Sequence, residues 1–304
     1  MTDLDAGTTD PDAAAPAGER RRRSGGRATG ERSRLPPQRP WAQPRLRYKP
    51  TEVVSADELE SIHQASLQVH EEIGMDFLDE EARNLLAAAG ARVEPGSERV
   101  RFDRDMVTER IKTAPSSFRL HARNPEHHLE IGGDWMAFGS VASAPNVADL
   151  DQGRRVGNHA DYQNLIRLCQ MLNVVHFFAG YPVEPIDLHA SIRHLDAVYD
   201  LLTLADKPIH AYSLGRGRIT DAMEMARIAR GIDDETFDRE PSLFTVINSS
   251  SPLRLDTPML HGILEMSARN QVIVMTPFTL AGAMAPVTLA GAPDCMSTFE
   301  VNPP

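Results

Sequence analysis

Four short apolar runs, VVHFFAGY (174–181), PIHAYSL (208–214), LFTVINSS (243–250) and QVIVMTPF (271–278), recur at intervals of about 30 residues. Helical period fills the space around them. Tyr162, Leu165, Ile166, Cys169 and Leu172 mark one helix face, and Leu188, Ile192, Leu195, Tyr199 and Leu202 mark the next. Two further helices are predicted around Ile219, Ala222, Met223 and Ala226, and around Leu260, Ile263 and Leu264. Continuous apolar strands alternating with amphipathic helices predict a parallel sheet covered on both faces. A TIM barrel and a doubly wound sheet both satisfy this pattern, but no GxGxxG follows a strand, which weighs against a dinucleotide-binding sheet.

The upstream texture differs. SADELESIHQASLQVHEEIG opens with Ser55 and Glu58 at capping-box spacing, carries Leu59, Ile62, Ser66, Val69 and Ile73 on one face, and stops at Gly74. A second helix is predicted over 79–90, two short strands around the Pro-Gly turn of ARVEPGSERVRF, a helix after Asp103, and a hairpin around the Asn-Pro of FRLHARNPEHHLEI. Residues 46–133 therefore read as a small α+β unit and 134–292 as a partial (β/α) barrel, followed by an atypical tail over 293–304. Residues 1–45, rich in Ala, Gly, Pro, Asp and Arg without hydrophobic period, read as a disordered basic and Pro-rich tail.

Charge and cysteine use exclude several function classes. Residues 19–49 carry eleven Lys/Arg against two acids in a chain of net charge −11, so the rest is strongly acidic and would repel a phosphate backbone. The basic tract RRRSGGR also lacks interleaved aromatics, and no nucleic-acid partner is expected. No run approaches ~20 uninterrupted apolar residues, and the N-terminus is acidic rather than an apolar signal, so no membrane partner is expected and the cytoplasm is the expected compartment. Cys169 and Cys295 lie far apart with no CxxC. His127 and His128 sit beside a hairpin turn, and His189 and His194 are five apart rather than at HExxH spacing, so no metal site is expected. There is no GxSxG for nucleophilic hydrolysis.

In either parallel architecture, ligands gather at the C-terminal ends of the strands. Those ends offer Tyr181 and Glu184 after the first run, Tyr212 after the second, Asn248 and Ser250 after the third, and Thr276 and Phe278 after the fourth. Aromatic faces near one carboxylate and several neutral hydrogen-bonding groups suit a small organic cation. The alternative is that the aromatics plug the mouth of the sheet. His176 and His210 lie inside strands, where each is either a satisfied core histidine or a pocket group. The pentapeptide TLAGA occurs twice, at 279–283 and 288–292, without the spacing of a phosphate loop; on residue type alone it reads as a strand with small residues followed by a helix start.

The runs APNVADLDQGRRVGNHADYQNLIRL, HFFAGYPVEPIDLHASIRHLDAV, DKPIHAYSLGR and TPFTLAGAMAPVTLAGA resemble the trimethylamine:corrinoid methyltransferase family over about residues 46–292. The resemblance implies a TIM (β/α)8-type barrel. It also implies transfer of a methyl group, from a methylated or quaternary amine of the trimethylamine or glycine-betaine type, to the cobalt of a corrinoid carried by a partner protein. No cofactor would then be bound directly, and the partners would be a cognate corrinoid protein and a small methylated amine, with a homo-oligomer also admitted. Strand-end position, not a family motif, then assigns the roles: Tyr181, Tyr212 and Phe278 are expected to hold the cation, Asn248 and Ser250 to orient a polar tail, Glu184 to supply a counter-charge, and His210 and Thr276 to complete the substrate pocket. The double TLAGA becomes a strand, a tight loop and a helix whose small side chains suit close approach to a planar corrin.

Members of that family are longer, and here PDCMSTFEVNPP follows the second TLAGA, with Pro293 where a helix should propagate. The expectation is a barrel present over about its first half, with about five strand units counting the region near Trp135–Phe138 and activity impaired by truncation. Two other functions stay open: a non-catalytic chain that binds a corrinoid protein, and a different TIM-barrel lyase using Glu184 and His210 as acid and base.

Overall fold

In the computed structural model, which describes residues 37–250 and 253–276, the capping box forms as spaced: Ser55 Oγ accepts from the Glu58 N–H, and the Glu58 carboxylate accepts from the Ser55 N–H at 2.8 Å. It starts α1 (Ala56–Gln68), which continues through a π-helical turn over Val69–Ile73. The stop at Gly74 is steric. Its φ is 77°, and a Cβ there would lie 2.3 Å from the Val100 carbonyl oxygen.

Strand β1 (Met75–Phe77) follows, then α2 (Glu80–Ala88), capped by Asp79. Strands β2 (Arg92–Val93) and β3 (Arg99–Arg101) pair antiparallel, and Asp103 caps α3 (Arg104–Ile111). The predicted hairpin is β4 (Ser117–Leu120) with β5 (Leu129–Gly132). A second hairpin, β6 (Asn146–Asp149) with β7 (Gly153–Val156), was not expected from the sequence. Its polar alternation, NVAD and GRRV, carries little apolar signal; the Asp149 carboxylate accepts from the N–H groups of Asp151 and Gln152 to form its turn.

The remaining elements alternate: α4 (His159–Met171), α5 (Arg193–Leu204), β8 (Ile209–His210), α6 (Arg216–Arg230), α7 (Asp234–Arg239), β9 (Leu243–Asn248), β10 (Arg254–Leu255), α8 (Thr257–Ala268) and β11 (Val272–Thr276). Strands β8, β9 and β11 form a parallel sheet in the order β11-β9-β8. Parallel bridges Phe178↔Ile209 and Gly139↔Phe177 add two more segments, so five stretches of chain lie side by side in sequence order. The result is a mixed α/β fold. Strand β10 leaves this sheet to pair parallel with β1.

Two predicted strands shrink. Of VVHFFAGY only Phe177 and Phe178 make bridges, and of PIHAYSL only Ile209 and His210 are strand. Beyond His210 the ladder is interrupted because the Val246 N–H donates to His210 Nε2 (3.1 Å). The helix predicted from Leu188 starts instead at Arg193, whose guanidinium holds the Leu188 carbonyl and thereby fixes the preceding turns.

Residues 38–45, assigned to the tail on composition, are anchored by named contacts. Gln38 exchanges hydrogen bonds with Met171 and Asn173, Gln43 with Glu130, and Arg45 pairs with Asp134. Trp41 lies against the rings of His127 (5.0 Å) and His176 (5.7 Å). A Pro-rich composition masked these specific partners.

Period-two alternation separates the sheet's faces. Leu243 and Ile247 of β9, with Ile273 of β11, join the main core under the helices. Phe244, Val246 and Val272 point the other way, into a cluster with Leu120, Leu129, Trp41 and Phe177. The hairpin β4-β5 thus covers the inner face at the strands' N-terminal ends, where His121 N–H donates to Pro241 O (2.7 Å) and Arg123 to Ala205 O (3.0 Å).

Candidate functional site

At the opposite ends of the same strands the inner face changes character. His210 is paired in register with Phe244, and Tyr212 follows two residues later. Asn248 continues the Phe244–Val246 row, and Thr276 is its register partner on β11. The alternation that buries Phe244 therefore also brings His210, Asn248 and Thr276 to one face, and Tyr212, just past the end of β8, stacks on the His210 ring.

The aromatic groups form one edge-to-face stack. Tyr162 lies 5.4 Å from Tyr181, Tyr181 4.5 Å from Tyr212, and Tyr212 4.4 Å from His210, each pair tilted by 74° or more. Tyr181 is 4% exposed and His210 2%, whereas Tyr212 is half-buried. Tyr181 and His210 thus support the ring of the half-buried Tyr212. Gly180 makes room for this, because a Cβ there would lie 2.5 Å from the Tyr212 hydroxyl oxygen and 2.8 Å from Ala142 Cβ.

A wall just before hairpin β6-β7 completes the site. The Ser143 N–H donates to Tyr181 O (2.7 Å), the Glu184 N–H to Ala144 O (2.9 Å), and the Ser143 hydroxyl contacts the Tyr212 hydroxyl. Sequence reasoning missed Ser143. It sits in GSVASAP, a run without period, and nothing in its residue type signals its φ of 54°.

Protonation follows from burial. Burial pushes the Tyr212 phenol upward, partly offset by its hydrogen bonds to Ser143 and Tyr181, and it raises Tyr181 and Tyr162 as well, so all three stay neutral phenols at neutral pH. The Tyr181 N–H donates to the Tyr212 oxygen (3.1 Å), and the Tyr162 hydroxyl donates to Ala197 O (2.8 Å). His210 is lowered to about 4 by burial; its Nε2 accepts from Val246, which places the proton on Nδ1, and Nδ1 has no partner among the described residues.

The other expected residues divide. Asn248 Oδ1 accepts from the Thr276 hydroxyl, which joins two strand ends. The Ser250 side chain is exposed in the loop leading to β10, where its N–H donates to Arg254 O (3.0 Å). Glu184 is ion-paired with Arg193 (3.1 Å), so its charge is balanced within the protein. His176 is a core histidine: Nδ1 accepts from Phe138 N–H and Nε2 lies 3.2 Å from Ala42 O. Phe278 and both TLAGA segments lie outside the described residues.

Among the described residues no helix is long and apolar enough to cross a membrane. The sequence matches the family described as Trimethylamine methyltransferase (MTTB) over residues 19–296. It is 33% identical to a Glycine betaine methyltransferase of Desulfitobacterium hafniense (strain Y51) over 239 residues, covering 79% of this chain and 49% of that one. It is 26% identical to the Trimethylamine methyltransferase MttB of Desulfitobacterium hafniense (strain DSM 10664 / DCB-2), covering 78% and 48%. It is 25% identical to a Proline betaine:corrinoid methyltransferase of Eubacterium limosum, covering 79% and 50%. The chain spans about half the length of the curated relatives it matches.

Proposed function

Because the chain belongs to the trimethylamine methyltransferase (MTTB) family, we propose that its strand ends bind a small methylated or quaternary amine. Its methyl group then passes to the cobalt of a corrinoid carried by a separate protein. The observation that carries this reading is the half-buried ring of Tyr212, fixed by Tyr181, His210 and Ser143 at the C-terminal end of a parallel strand. We read the five parallel segments as part of a (β/α)8 barrel whose mouth is this site.

The residues bind and orient rather than activate. A methylated ammonium is already primed for displacement, so the protein's task is to aim one N–CH3 bond at its acceptor while the C–N electron pair stays with nitrogen. A ring such as Tyr212 attracts the cation by about 0.5–2 kcal/mol. Asn248 and Thr276, joined to each other, offer neutral hydrogen-bonding groups at the ends of β9 and β11. Glu184 is not needed as a counter-charge, since Arg193 holds it. The same ion pair, together with a neutral His210 whose Nε2 is occupied, weighs against the acid–base pair a lyase would need.

The test is transfer from glycine betaine or trimethylamine to a reduced corrinoid protein, followed by the cobalt absorption spectrum. Methylation of the corrinoid is the expected result. Tyr212→Ala should raise KM about tenfold with a smaller effect on kcat, as loss of a contact that binds the cation before and during transfer predicts. Absence of transfer from every methylated amine offered would refute the reading.

A further inference from the structure

Resting on that reading of the site, we infer that Ser143 is a specificity-determining residue, which presents its hydroxyl hydrogen to a carboxylate carried by the substrate at a distance from its ammonium group. A chain of hydrogen bonds runs from Tyr181 through Tyr212 to Ser143. The Tyr181 backbone N–H has only a proton to give, so the Tyr212 oxygen accepts from it (3.1 Å). The two hydroxyls are in contact, and we assign the phenol's hydrogen to Ser143 Oγ because a phenol is the stronger acid of the pair. Ser143 is then an acceptor on one side and a donor on the other.

Its backbone is fixed as firmly as its side chain. The Ser143 N–H donates to Tyr181 O (2.7 Å), and the residue stands at φ 54°, a conformation a serine keeps only where its surroundings impose it. The residue is exposed, so its free hydrogen faces solvent or a ligand. Each upstream bond polarises the next, which makes the terminal hydroxyl a better donor than an isolated serine. A carboxylate is the acceptor that gains most from such a donor. Cation and carboxylate on one small molecule would engage the Tyr212 ring and Ser143 together.

Calorimetric titration of the full chain with two ligands tests this. Tetramethylammonium carries the cation alone, and glycine betaine carries cation and carboxylate. Ser143→Ala should weaken betaine about tenfold and tetramethylammonium less than about twofold. Ser143→Gly, which suits the positive φ, gives the same comparison should the alanine variant melt early. Equal losses for both ligands, no loss for betaine, or a wild-type chain that takes tetramethylammonium but not betaine would each overturn the role of Ser143 while leaving the site in place. A wild-type chain that binds neither ligand overturns the reading of the site, and this inference with it.

Discussion

Tyr212 combines two properties that suit the recognition proposed for it: its ring packs edge-to-face against Tyr181 and His210, and the residue is only half-buried. Strand-end position and residue type pointed to Tyr181, Tyr212, Asn248 and Thr276 in the sequence, and the structure places all four at or just beyond strand ends. Position and type were not enough to tell the buried Tyr181 from the half-buried Tyr212, because exposure depends on neighbours contributed by other strands. Glu184 was legible as an acid near aromatics, but its Arg193 partner lies across a turn with no periodic signal. Burial also gives the residue scale a pH signature. His70 and His210 are each lowered to about 4 by burial, below the ordinary 6.5. The unfolded chain binds their protons first, so stability falls as pH drops from about 6.5 towards 4 and is unaffected by them above 6.5. Each histidine should remove about 2 kcal/mol at pH 5. Urea unfolding of wild type and His210→Gln at pH 7 and pH 5 checks this; the glutamine keeps an acceptor for Val246 N–H and should lose less stability between the two pH values. An identical loss would show that His210 does not contribute.

Elements whose signal is local were the most readable. The capping box at Ser55 and Glu58, the caps at Asp79 and Asp103, and the two antiparallel hairpins within 92–132 each follow from adjacent residues. The predicted strands over 174–181 and 208–214 were overextended because apolar content continues after the ladder stops, and a histidine ring taking a ladder position leaves no trace in hydropathy. The role of hairpin β4-β5 was likewise hidden, since its alternation reveals a buried face but not what covers it. Leu129 is fully buried and Leu120 nearly so, both against Phe244 on the inner face of the sheet. Leu129→Ala should cost about 2–5 kcal/mol, a value chemical denaturation can read directly. A cost below about 1 kcal/mol would mean the hairpin is not a plug of the sheet.

At the scale of the whole molecule, one sheet face does two jobs. Its N-terminal half is closed by the hairpin and the Trp41 segment, and its C-terminal half carries the polar and aromatic groups. This division is what a parallel fold with ligands at the strand ends requires, and it agrees with membership of a methyltransferase family. The most direct measurement is a crystal structure of the chain with arsenobetaine, a quaternary analogue whose arsenic can be located by anomalous scattering. The expected result is a peak within about 6 Å of the Tyr212 ring centroid, the range of a cation–π contact. An arsenic peak elsewhere on a saturated protein, with the strand ends empty, would contradict the assignment of this site.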